Sequence, residues 1–184
     1  MEVWITGRGY PKNGKALFFE QSPLSTQKSG EYSPPMLVTL AHIGPPPKTA
    51  DGFNALTQIY LDRCGPYCQS KPESFRSEDA MMDWIGRQKA RTTPFVVLLD
   101  SQGRAMTSDA FAAWLGARRD EATQHIVFAI GPADGWSQAA RSRANLLLSL
   151  GPMTMAHALA RLVVAEQVYR AFTILAGHPY HTGH

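Results

Sequence analysis

At 184 residues, 44% apolar and 18% charged, the chain has the composition of one folded domain with its own core, which excludes a disordered tract. A formal net charge of +3 permits nucleic-acid binding without demanding it. No run approaches the ~18 apolar residues of a transmembrane helix and no charged-then-apolar leader opens the sequence, so a cytoplasmic location is expected.

Residues 1–35 are rich in Gly, Pro, Ser, Lys and Gln, follow neither a helical nor a strand period, and end in Ser33-Pro34-Pro35. They read as an extension outside the domain, disordered or owed to an upstream start; an RNA-binding arm is the alternative. The domain is residues 36–184. Met36–Ile43 reads as a strand of β-branched and apolar residues, stopped by Gly44 and three prolines. A helix from about residue 50 to Arg63 carries Phe53, Leu56, Ile59, Tyr60 and Leu61 as an apolar stripe and closes at Cys64-Gly65-Pro66. Cys64 and Cys68 read as ordinary thiols, because no second ligand pair lies near enough for a metal site. Residues 68–76 are polar and read as loop or irregular strand. Ser77 leads into a helix reaching about Lys89, and the run Arg87, Lys89, Arg91 reads as its solvated end.

Phe95–Asp100 is a buried strand followed by a turn over Ser101–Arg104. Thr107-Ser108 caps a helix to about Arg118, with Phe111, Trp114 and Leu115 inward. Ile126–Ile130 is the next strand, Gln138–Arg143 a short helix, and Leu146–Leu150 a strand broken by Gly151-Pro152. Thr154 is placed to begin a cap. The helix His157–Leu175 is apolar almost all round, so it must be covered by its sheet and by a second subunit. Glu166 and Arg170 nevertheless sit at i,i+4 on it, in the favourable order for an ion pair. From Ser137 onward stand four arginines, one glutamate and four of the six histidines, a balance that suits phosphate contacts. Strands alternating with helices predict an α/β fold: a parallel sheet covered by helices on both faces. Ligands of such sheets sit at the carboxyl ends of strands, here the loops after Leu99, Ile130 and Leu150. The string IGPADGW is not a GxGxxG motif, so a dinucleotide site is not indicated.

The string MTxxHxLxRxxxxEQxYRAxxIxxxxPYH, Met153 to His181 in this chain, resembles the C-terminal signature of the RlmH family. Those are small bacterial methyltransferases of the SPOUT class that use S-adenosylmethionine to methylate a pseudouridine of 23S rRNA at N3. The likeness extends more weakly back to Met36. It implies a C-terminal trefoil knot, which periodicity alone does not reveal, a homodimer, and the ribosome as substrate. It implies that S-adenosylmethionine is held at Leu99, Gly131, Leu150, Gly151, Pro152, Met153, Thr154 and Met155. For Gly131 taken alone, a plain tight turn is the simpler reading. The signature supplies His157, Arg161, Glu166, Arg170, Tyr180 and His181 as candidates for chemistry. Arg170, held by Glu166, would orient the base or a phosphate, and Tyr180 and His181 would close over the cofactor or touch RNA. The general base is not identified, His181 being one choice. Pro132 stands where the family usually has glycine and removes an N–H; Pro152 and Ala156 also differ. A non-catalytic RNA- or ribosome-binding module, or a methyltransferase for another nucleotide, are the alternatives.

Overall fold

The computed structural model describes residues 36–46, 51–88 and 92–181. The reading of residues 1–35 therefore lies outside the described residues, as do Lys89 and Arg91 of the basic run. Strands β1 (Leu37–Ile43), β2 (Gln69–Phe75), β3 (Phe95–Ala105), β4 (His125–Ile130) and β5 (Leu146–Ser149) form one sheet in the order β2-β1-β4-β3-β5. Every pairing is parallel. Helices α1 (Gly52–Arg63), α2 (Glu78–Gln88), α3 (Ser108–Asp120), α4 (Gln138–Arg143) and α5 (His157–Leu175) connect and follow the strands, and a short 3-10 turn spans Pro179–His181.

Central strand β4 is buried along its whole length and shows why both faces must be covered. Ile126, Phe128 and Ile130 enter one core with Leu40, Val97, Leu115, Val164, Val168 and Phe172, where α5 packs against both α1 and α3. Val127 and Ala129, on the opposite face, meet Met81, Met82 and Ile85 of α2, together with Trp136 and Ala140. Successive side chains of a strand point to opposite faces, so an unbroken apolar run is what a two-sided core requires. Each large side chain so buried contributes about 1.5–3 kcal/mol.

The structure departs from the sequence reading in four places. Residues 69–75 form a regular strand, β2, paired along its length with β1. It is polar and contains Pro72, both tolerable because β2 is an edge strand. The α1 stripe faces outward: Leu61 is buried, but Phe53, Leu56 and Ile59 are 45%, 47% and 44% exposed. The N-cap of α5 is Ala156 and makes no side-chain cap bond, so Thr154 does not cap that helix. Finally, β3 does not end at Asp100. Leu148 pairs with Leu99 and again with Arg104, so residues 100–103 strap across β5. At the crossing a Cβ on Gly103 would lie 2.6 Å from the Leu147 carbonyl carbon, a backbone-to-backbone approach open only to glycine.

Candidate active site

At the carboxyl edge of β3, β4 and β5 lies a groove of about 360 Å³. Leu99, Gly131, Leu150, Gly151, Met153, Thr154 and Met155 line it, joined by His157 from the first turn of α5. Three separate loops thus converge on one groove. Pro152 is exposed and is not among the lining residues. Met153, 83% exposed, lines the rim.

The loops are held by specific contacts. Trp136 donates its indole N–H to the Leu99 carbonyl at 2.9 Å and lies flat against Gly131, where a Cβ would come within 2.7 Å of the ring. Gly131 is therefore required for close packing, not for a left-handed turn. The left-handed positions are Gly135 (φ 88°) and Gly151 (φ 123°). Pro132 opens the turn that Gly135 closes by donating its N–H to the Pro132 carbonyl at 3.0 Å. A first turn residue contributes its carbonyl and not its N–H, so proline fits there. The Ser149 hydroxyl accepts the Gly151 N–H at 3.1 Å and reaches the Ser101 carbonyl at 3.3 Å, tying the strap to the β5–α5 loop.

Among the lining residues not singled out from the sequence, Asp100 and Arg141 form a charged pair. Asp100, at the end of the buried half of β3, has a side chain only 3% exposed. Its Oδ1 accepts the Gln102 N–H, while Oδ2 lies 2.9 Å from Arg141 Nε without hydrogen-bond geometry. The contact is Coulombic, and both atoms keep an unused hydrogen-bonding capacity inside the groove. Asp100 follows the apolar run FVVLL, where a chain-order reading sees only a strand end.

A second polar cluster lies further along α5. Arg170 donates its Nε–H to Glu166 Oε1 at 2.9 Å and brings Nη2 within 2.7 Å of that oxygen as an ion pair, and Tyr180 donates its hydroxyl to the same oxygen at 3.1 Å. Gln167 donates to the other carboxylate oxygen at 2.7 Å. The Tyr180 hydroxyl is also 3.4 Å from that of Tyr60, and the Arg170 guanidinium stands 5.0 Å over the Tyr180 ring. The hydrogen bond to Glu166 raises the Arg170 pKa, and burial raises that of the Tyr180 phenol. Both groups therefore keep their protons at neutral pH and donate hydrogen bonds, and Glu166 accepts from Arg170, Tyr180 and Gln167. His181 belongs to the 3-10 turn beside this cluster in sequence.

Groove and cluster do not meet within one chain. From His157 to Arg170 the rise along α5 is about 20 Å. Between them lies an apolar cavity of about 310 Å³ that shares Leu148, Leu150 and Gly151 with the groove and is walled by Gln167. Arg161 turns the other way, toward β1: it is 9% exposed, with Nη1 3.3 Å from His42 Nε2 and Nη2 4.0 Å from Asp51. Burial lowers the pKa of both His42 and Arg161. Among the described residues no group of His, Cys, Asp and Glu could hold a metal ion, and Cys64 and Cys68 are free and buried.

A parallel α/β sheet with a strapped C-terminal strand and a three-loop groove at its carboxyl edge is the frame of a methyltransferase class. The family described as "Predicted SPOUT methyltransferase" matches residues 36–181, and the chain belongs to it. Within that class the likeness narrows. The ribosomal RNA large subunit methyltransferase H of Koribacter versatilis is 43% identical over 132 residues, 72% of this chain and 90% of that one. The protein of the same name from Brucella ovis is 54% identical over 86 residues, 47% of this chain and 51% of that one. The chain is a member of this ribosomal RNA methyltransferase family. Among solved structures, the SpoU methyltransferase AviRb of Streptomyces viridochromogenes gives a TM-score of 0.42 at 14% identity, covering 80% of this chain and 60% of that one.

Proposed function

We propose that the protein transfers a methyl group from S-adenosylmethionine to N3 of a pseudouridine in 23S rRNA, acting in the cytoplasm as a homodimer on the assembled ribosome. The observation that carries this reading is the convergence of the three loops on one groove of about 360 Å³, a size suited to a small-molecule cofactor. The residues present fit that cofactor. Leu99, Ile130, Leu148 and Leu150 offer an apolar slot for adenine. Asp100 Oδ2, buried and without a hydrogen-bond donor, suits a hydroxyl or an ammonium group. The uncapped N-terminus of α5, opening at the groove, suits a carboxylate. When bound, S-adenosylmethionine supplies an electrophilic methyl group on a sulfonium.

The protein's own part is positioning and charge. Loss of the N3 proton leaves an anion, which a fixed guanidinium stabilises. Arg170 is the candidate: it stays charged, and Glu166 and Tyr180 set its direction. Neither Arg170 nor Tyr180 can take the proton. Arg170 lies about 15 Å along α5 from Ala160, the groove residue nearest to it on that helix, and reaches the cofactor from a second protomer. In a twofold dimer with antiparallel α5 helices, His157 of one subunit lies beside Arg170 of its partner. The exposed Phe53, Leu56 and Ile59 of α1 and Leu159 of α5 supply an apolar surface for that contact. The pairing of Leu148 with both Leu99 and Arg104 supports the trefoil knot that the family resemblance implies.

Calorimetry with S-adenosylmethionine, followed by methyl transfer to large subunits lacking the modification and mass mapping of the rRNA, tests the reading. Binding followed by transfer to one pseudouridine is expected. Binding without transfer would leave an RNA-binding module, and transfer elsewhere would change the target.

A further inference from the structure

Along the same sheet edge, but at β1 and β2, lies a second opening. It is a groove of about 670 Å³ with Gly44, Pro45, Pro46 and Phe75 on its walls and the arginines Arg76 and Arg87 lining it. Both arginines are exposed. Most described cations already have partners: Lys71 with Glu73, Arg118 with Glu121, Arg119 with Asp120, Arg141 with Asp100, Arg161 with Asp51 and Arg170 with Glu166. Arg143 donates to the Met82 carbonyl, and Arg63 stands over the Tyr60 ring. The side chains of Arg76, Arg87 and Arg104 alone among the described cations make no such contact, and two of these three share this groove. Asp83 stands one turn before Arg87 on α2, the favourable order for an ion pair, yet the two make none.

We propose that this groove is a track for the phosphate backbone of the substrate RNA, with Arg76 and Arg87 as its phosphate contacts. The inference rests on the rRNA methyltransferase reading and adds where the strand runs. Strand order places the carboxyl ends of β2 and β1 next to that of β4, which carries Gly131. Two strand spacings are about 10 Å, so RNA entering the methyl-transfer groove passes Arg76, just after β2, within a nucleotide or two, and Arg87 lines the same groove from α2. Unpaired guanidiniums beside apolar walls formed by proline and phenylalanine are the composition that holds single-stranded RNA.

The test uses the full chain carrying Arg76→Ala and Arg87→Ala together, against a control with Arg118→Ala and Arg119→Ala, which removes equal charge from α3. Binding of a short single-stranded RNA is followed by anisotropy across a salt series, and KM for unmethylated large subunits is measured in parallel. For the groove variant, affinity falls and the slope of log K against log salt shrinks by roughly 0.7 per lost phosphate contact. KM rises about tenfold, as expected for two lost contacts, with kcat, cofactor affinity and melting temperature held. Arg76→Lys with Arg87→Lys restores most of the loss, because a lysine still serves a phosphate as a point charge. An unchanged salt slope and KM, an equal loss in the α3 control, or a change in oligomeric state on Arg→Ala overturns the proposal. If the wild-type protein transfers no methyl group, the enzymatic reading falls, while the anisotropy arm still decides the groove.

Discussion

A Cβ on Gly131 has no room while the Trp136 indole lies where it does, donating to Leu99. Gly131→Ala must push the ring away and release the loop after β3 together with the loop after β4. The expected cost is about 1–3 kcal/mol of stability, with S-adenosylmethionine affinity reduced at least about tenfold (1.4 kcal/mol); thermal melting and calorimetry read the two. Wild-type affinity in this variant would mean that the groove is not the cofactor site. His125 tests a different part of the core. Its ring is 2.9 Å from the Thr39 hydroxyl, and burial, with Lys71 nearby, holds its pKa down to about 4. The folded chain keeps this ring neutral, while the unfolded chain protonates it below its ordinary value of about 6.5. Stability is therefore full above that value and falls as pH drops toward about 4. His42 adds in the same direction. Melting temperature should decline through this window, and His125→Gln should flatten the decline; a wild-type melting temperature unchanged across it would contradict the assignment.

At the scale of elements, the strap is the feature on which the C-terminal third depends. Gly103→Ala places a methyl 2.6 Å from the Leu147 backbone, where no flexible side chain can yield. The expectation is a loss of about 3 kcal/mol or more, or failure to fold; circular dichroism and melting of the purified variant check it, and a wild-type melting temperature would show that the crossing is looser than described. The sequence shows the turn glycine but not this strap, because pairing of Leu148 on two sides is a tertiary event. The elements that were legible share one property. The strand runs at 37–43, 125–130 and 146–149 and the helix His157–Leu175 are long or strongly apolar, so periodicity identifies them. Strand β2 is neither, and only its partner β1 makes QSKPESF a strand. The α1 stripe is periodic and yet faces outward, since periodicity locates an apolar face without saying what covers it.

At the scale of the whole molecule, the candidate site is divided. The three loops of its groove were legible because a parallel sheet brings the carboxyl ends of its strands to one edge whatever the loops contain. The place of Glu166, Arg170 and Tyr180 was not, because the signature from Met153 to His181 is compact in sequence but extended along a helix. In the proposed dimer, each active site takes its groove from one protomer and its arginine from the other. Mixing protomers tests this most directly. Gly131→Ala, which spoils the groove, and Arg170→Ala, which removes the cation, are assayed separately and after mixed refolding, with labelled S-adenosylmethionine and unmethylated large subunits. Wild-type protein should label 23S rRNA, and at S-adenosylmethionine well below the weakened affinity of Gly131→Ala neither variant alone should. The mixture should recover about a quarter of wild-type activity, since random pairing makes half the dimers mixed and each of those has one intact site. A wild-type protein that labels no rRNA, or a mixture as inactive as its parts, would contradict a site shared between two protomers.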